Sequence, residues 1–260
     1  MFSDNKDIKN IQKEILFLLK KFHMLCIKNN IKYTLHGGSM LGAIREKGFI
    51  QWDDDADIAL LRSEYSKLCK CISMDASEEM YLDNFSDKMY KVWMKRTGHP
   101  IVWIDIFVYD FISEKRLFQK MKIMGISLLT PFVKNEVSIQ QFRANGRANG
   151  VKKYIYEFLY CCGKIFPQRQ KIKLIDFFEQ KTFKGNKKYI HRSNDQLFAM
   201  KMIIKTDYMR KYVLKKFEDT ELMVSENYNE ILVSSYGEDY MTPKKNQEND
   251  IIHAIARKNR

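Results

Sequence analysis

The sequence predicts an α/β (α+β) fold, a mixed β-sheet flanked by helices, on three observations. Apolar residues recur at helical spacing near the start of the chain, at Ile8, Ile11, Ile15, Leu18, Phe22 and Leu25. Strand-length apolar runs follow at 31–35, 58–61, 89–96 and 101–109. Helical segments separate the first of these runs, so the order to residue 110 reads helix, strand, helix, strand, helix, strand, strand. With 45% apolar and 13% aromatic side chains, 260 residues can bury a sizeable core, which excludes a disordered chain.

In order, the first helix has Ser3 or Asp4 as a cap and gives way at Asn29-Asn30. Ile31, Tyr33 and Leu35 then alternate with Lys32 and Thr34, a short strand that runs into His36-Gly37-Gly38-Ser39. A helix from Met40 to Lys47 stops at Gly48. The next stretch carries four acids in five residues, Asp53 to Asp57, and turns into the apolar strand Ile58-Ala59-Leu60-Leu61. Arg62-Ser63-Glu64 opens a helix to about Ile72, and the runs 89–96 and 101–109 are joined by Thr97-Gly98-His99-Pro100 at a spacing that suits a hairpin. From Glu114 the pattern is mostly helical, near 113–124, 136–142, 151–165 and 168–183. Arg-Ala-Asn-Gly occurs twice in succession over 143–150 and reads as a flexible loop. The stretch 193–205 fits neither period, and a last helix over 227–236 ends at Gly237.

Charge divides the chain in three. Residues 1–114 hold 16 Lys and Arg against 17 Asp and Glu, residues 189–260 hold 12 against 11, and residues 115–188 hold 17 against 4. The whole excess of +13 therefore sits in one internal block. We read 1–114 as a catalytic core, 115–188 as a basic helical insertion and 189–260 as the segment that completes the core. The polar N-terminus has no secretory h-region, and no apolar run approaches the ~18 to 20 residues of a membrane span. Five cysteines without metal-ligand spacing fit a reducing cytoplasm.

On a strand, side chains two apart share a face, which groups Asp53, Asp55 and Asp57 at ~6.6 Å spacing. At an effective dielectric near 20, each such pair repels by about 2 to 3 kcal/mol. Asp is also a poor strand former. A hard divalent cation, Mg²⁺ or Mn²⁺, would offset the repulsion; a solvated acidic loop ahead of the strand is the alternative, for Asp53 and Asp54 above all and less so for Asp55 and Asp57, which are fused to the apolar strand. Gly37-Gly38-Ser39, between a strand and a helix, lets backbone N–H groups approach a phosphate, although such a turn is often only a turn. Asp105, inside Ile101 to Val108, either joins the Asp55 and Asp57 carboxylates as a third metal ligand or base, or is an edge or salt-bridged acid. A phosphate cradle facing metal-binding carboxylates is what transfer of a phosphorus group requires.

The stretch from Leu35 to Ile58, with its Gly37-Gly38-Ser39 and Trp52-Asp53-Asp54-Asp55-Ala56-Asp57, resembles the core of the LicD/fukutin family. Further similarities are Lys91 with Thr97, Ile104-Asp105-Ile106-Phe107 with Asp110, and Tyr236-Gly237 with Asp239 to Pro243. Gln51, Val108 and Lys244 stand where the family usually has proline. The resemblance implies a nucleotidyltransferase-type fold and transfer of phosphocholine or a related phospho-alcohol from a CDP-activated donor to a glycan. By position it implies Asp55 and Asp57 as metal ligands, Asp105 as the third acid, and Gly37, Gly38 and Ser39 at the donor phosphate. Arg45 and Lys91 are further phosphate candidates, with a surface charge and a strand-edge lysine as the alternatives. The resemblance further implies Mg²⁺ or Mn²⁺ as the cofactor and, as the acceptor, a hydroxyl of a capsule, teichoic acid or lipopolysaccharide precursor carried on a lipid.

Two other readings compete. A nucleotidyltransferase proper would use the same acids and glycines but release pyrophosphate. A non-catalytic membrane or polyanion binder would explain the basic block, whose interleaved aromatics Phe142, Tyr154, Tyr156, Phe158, Tyr160 and Phe166 suit an anionic membrane surface. Solvated helix faces would explain it equally. No nucleic-acid motif accompanies the charge, so no nucleic-acid partner is expected. The expected location is the cytoplasm, at the inner face of the membrane.

Overall fold

The computed structural model describes residues 5–74, 80–83, 89–94, 99, 101–136, 139–140 and 150–243. Most of the expected 97–100 turn and 136–142 helix, and nearly all of the Arg-Ala-Asn-Gly repeat, lie outside the described residues. In chain order the elements are α1 (Asn5–Lys28), β1 (Thr34–Leu35), α2 (Gly37–Arg45), β2 (Asp57–Leu61), α3 (Arg62–Ser73), β3 (Met80–Asp83), β4 (Tyr90–Met94) and β5 (Val102–Ile112). There follow α4 (Arg116–Val133), α5 (Val151–Gly163), α6 (Gln168–Lys181), β6 (Tyr189–Arg192), α7 (Leu197–Met200) and β7 (Ile203–Lys205). A 3₁₀ turn, Thr206–Met209, leads to β8 (Tyr212–Phe217), β9 (Thr220–Ser225) and α8 (Tyr228–Tyr236). The result is the expected mixed sheet with helices, plus strands the sequence pattern did not reveal, β3, β6, β7, β8 and β9.

By its internal contacts the chain forms two compact units, 1–82 with 91–107 and 207–260, and 83–90 with 108–206. In the first, the strand order β1-β2-β5-β4 brings the acid-bearing strands side by side, and β3 follows β4. β1 runs antiparallel to β2 with Thr34 opposite Ala59 and Leu35 opposite Ile58. α1 buries the stripe Ile15, Leu18, Leu19, Phe22 and Cys26, as its period requires. α2 begins at Gly37 rather than Met40, because the Met40 N–H already closes a turn on the His36 carbonyl at 3.0 Å. The β8–β9 hairpin packs on β1, where the Ser225 N–H donates to Thr34 Oγ1 at 2.9 Å.

In the second unit, the end of β5 pairs antiparallel with β6, and β6 with β7. α4 and α6 close a core of Ile112, Ile123, Ile126, Val133, Ile172, Ile175 and Met200. Lys122 is wholly buried within it, its ammonium donating to the carbonyls of Phe111 at 2.7 Å and Glu179 at 2.6 Å. Those charge-assisted bonds offset the desolvation that an isolated ammonium would suffer.

Candidate active site

The approach to β2 alternates strictly, with Asp54, Ala56 and Ile58 buried and Asp53, Asp55 and Asp57 partly exposed. The pleat thus begins ahead of β2 itself, which starts at Asp57, and it aims the odd-numbered carboxylates one way. β5 alternates in the same manner, so Trp103, Asp105 and Phe107 share the partly exposed face while Val102, Ile104 and Ile106 enter the core. The Asp105 N–H donates to the Ala56 carbonyl at 2.9 Å, which fixes the register between the two strands. One carboxylate oxygen from each of Asp55, Asp57 and Asp105 then lies within 4.8 Å of the others.

The cluster fits a hard divalent cation. All its donors are carboxylate oxygens, the ligands Mg²⁺ prefers, and two ligands of one ion at ~2.1 Å lie at most about 4.2 Å apart. Small side-chain rotations would close the remaining gap. Lys91, partly exposed on β4, forms an ion pair with Asp105, and its ammonium lies 4.8 Å from the Trp103 ring centroid. One of the three negative charges is therefore already balanced.

The glycines stand against these acids. A Cβ on Gly37 would fall 2.7 Å from Asp57 Oδ2, and one on Gly38 would fall 2.9 Å from Asp53 Oδ2. Gly37 also has φ +51°, which a side chain would strain. The buried Ser39 hydroxyl accepts the Asp57 N–H at 3.0 Å, and the His36 N–H donates to the Asp57 carbonyl at 2.9 Å. The start of α2 and the start of β2 are thus tied together at Asp57.

Arg45 lies at the other end of α2, about 12 Å along the helix from Gly37. Its Nε pairs with Glu46 at 2.7 Å and its Nη1 donates to the Tyr240 carbonyl at 3.4 Å. Tyr240 itself is buried, its hydroxyl bonded to Asn229 at 2.8 Å. Two supports escaped the sequence reading. Gln12 of α1 donates to the carbonyls of Ile50 at 3.1 Å and Asp53 at 2.8 Å, and Glu218 accepts the Phe49 N–H at 3.0 Å. Neither has a local signal, since each acts across a long stretch of chain.

Residues 30–137 match the family model for LicD/FKTN/FKRP, nucleotidyltransferase domain, and the acids, the glycines and Lys91 all fall inside the match. The match, to a LicD-family domain, covers 108 of the 260 residues. The chain is also similar to a protein of Haemophilus influenzae (strain ATCC 51907 / DSM 11121 / KW20 / Rd) named lipopolysaccharide cholinephosphotransferase LicD. The two are 27% identical over 93% of this chain and 94% of that one. An uncharacterized protein of Rickettsia prowazekii (strain Madrid E) is 47% identical over 41% of this chain and 36% of its own length. A second, from Rickettsia typhi (strain ATCC VR-144 / Wilmington), is 47% identical over 18% and 15%.

Proposed function

We propose that this chain is a transferase that moves phosphocholine, or a closely related phospho-alcohol, from a CDP-activated donor to a hydroxyl of a cell-surface glycan precursor. The observation that carries the reading is the convergence of Asp55, Asp57 and Asp105 within 4.8 Å beside two glycines that leave the backbone bare. The similarity to a lipopolysaccharide cholinephosphotransferase over most of both chains supports the substrate class.

Asp55, Asp57 and Asp105 would hold Mg²⁺ or Mn²⁺, which when bound offsets charge on the donor phosphates. The chain's own residues do the rest. Gly37 and Gly38 let the donor approach the start of α2, whose N–H groups favour phosphate oxygens. Ser39 positions Asp57 through its backbone bond, and Lys91 holds Asp105 in place. The acceptor hydroxyl attacks the phosphorus that bears the alcohol and gives its proton to Asp105. The phosphorus–oxygen bond to the cytidylate breaks, and CMP leaves with the electron pair.

In this reading the acceptor is lipid-linked and the reaction takes place in the cytoplasm, with the chain resting on the inner face of the membrane. No helix among the described residues is long and apolar enough to cross a membrane, and all five cysteines are unbridged. The test is incubation with Mg²⁺ and a panel of CDP-alcohols, assaying CMP with and without lipid-linked oligosaccharides. CMP release that depends on one donor and an acceptor is the expected result. Pyrophosphate from a nucleoside triphosphate instead would identify a nucleotidyltransferase.

A further inference from the structure

The helices of the second unit expose apolar side chains in register. On α4, Leu117, Met121, Met124 and Leu128 are 66%, 39%, 61% and 48% exposed. Their spacing of four, three and four residues places them on one narrow stripe. Ile123, Ile126 and Val133, on the opposite side of the same helix, fill the core. α4 therefore has two apolar faces, and only one is covered by the described residues. α5 repeats the pattern with Val151, Tyr154 and Phe158, which are 74%, 77% and 67% exposed. α4 and α5 pack against each other within this unit.

We infer that these stripes form a docking face for an anionic lipid surface. Charge decides the occupant. The segment 115–188 holds 17 basic residues against 4 acidic ones, α4 contains no acid at all, and Arg116, Lys120, Lys153, Lys164 and Arg169 are all exposed. A second copy of the chain seated on this face would oppose two blocks of net +13. An anionic leaflet neutralises the same charge, and its acyl boundary accepts the methionine, leucine and aromatic side chains, as for an interfacial amphipathic helix. Of the aromatics singled out in the sequence, Tyr154, Phe158 and Phe166 are exposed, whereas Tyr160 is buried with its hydroxyl on Glu136 and Phe142 lies outside the described residues. The apolar contact belongs chiefly to α4, which the sequence did not single out. The purpose of such a face rests on the proposed lipid-linked acceptor; its physical basis does not.

The experiment is co-sedimentation with vesicles of phosphatidylcholine alone and of phosphatidylcholine with phosphatidylglycerol, using the full chain, M121E/M124E, and Met24→Glu on α1 as a matched control. The parent and Met24→Glu should pellet with the anionic vesicles at low salt and be released as salt rises. M121E/M124E should bind at least tenfold more weakly with an unchanged thermal midpoint, since both side chains are exposed. Equal binding of parent and M121E/M124E, or equal binding to both kinds of vesicle, overturns the inference. So does a dimer in solution that M121E/M124E dissociates. CMP release from the CDP-alcohol panel in the presence of the lipid-linked oligosaccharides is read in parallel without vesicles. Its absence refutes the proposed reaction and leaves the vesicle result standing, and the converse refutes only the lipid face.

Discussion

Asp57 stands where three constraints meet. Its N–H is held by Ser39, its carboxylate occupies the space a side chain at residue 37 would need, and its oxygens face Asp55 and Asp105. Asp57→Asn should lower turnover by a factor of about 100 or more, because one ligand and one unit of charge are lost together. The metal-free chain should at the same time be about 1 kcal/mol more stable, since a repulsive pair is relieved. Mg²⁺ should raise the melting midpoint of the parent and leave that of the variant unmoved; a variant as fast as the parent would refute the assignment. Gly37→Ala tests the same carboxylate from the other side. The left-handed backbone and the collision with Asp57 Oδ2 together should cost about 2 kcal/mol and slow turnover at least tenfold. Gly150 offers the comparison, because it has φ +61° with nothing within 4 Å, so alanine there should cost only about 1 kcal/mol and leave turnover alone.

At the scale of elements, β4 and β5 act as a pair. Their alternation sets Lys91 and Trp93 beside Trp103 and Asp105 on one face, and the ammonium is held by the carboxylate and the Trp103 ring at once. Lys91→Met should destabilise the metal-free chain by about 1 kcal/mol, while Mg²⁺ stabilises the variant more than the parent because Asp105 has lost its cation. Unchanged Mg²⁺ stabilisation would make Lys91 a strand-edge lysine only. This pairing shows why much of the site was legible. A period of two reads equally well in sequence and structure, so the shared face of Asp55 and Asp57 could be anticipated from the pattern alone, whereas Asp105 interrupts an unbroken apolar run that conceals its partly exposed face. β1 is shorter than its alternation suggested because only Thr34 and Leu35 find partners in β2. Among the strands the pattern did not reveal, three share one cause. β6 and β7 sit in a stretch that mixes apolar and basic residues, and β8 interleaves Lys215 and Lys216 with its apolar positions, so neither period dominates. The supports from Gln12 and Glu218 are polar side chains acting over 38 and 169 residues, and no local pattern encodes such a contact.

For the molecule as a whole, alkaline pH is the point of weakness. Burial holds the Tyr33 and Tyr212 phenols far above the usual tyrosine range, and it also pushes up Tyr109 and the Cys26 thiol. In the unfolded chain these groups lose their protons near pH 10 and 8.5, where the folded chain still keeps them. Stability is therefore full below about pH 8.5 and falls as pH rises, by about 1.4 kcal/mol per pH unit for each group in play. Absorbance at 295 nm should show these tyrosinates appearing only with the unfolding transition, and Tyr33→Phe should flatten the loss of stability with pH; an unchanged slope would contradict the account. The ties from the hairpin impose a different demand, one on synthesis. Glu218 meets Phe49 across 169 residues and Ser225 meets Thr34 across 191. At about 5 to 20 residues per second, a ribosome needs roughly 10 to 40 s between making β1 and making its hairpin cover. Throughout that interval the nascent chain carries Gly48, Phe49 and the acidic stretch without their later supports. Limited proteolysis of arrested nascent chains should cut within 47–57 until the hairpin has emerged, and protection of shorter chains would show that the site closes without it.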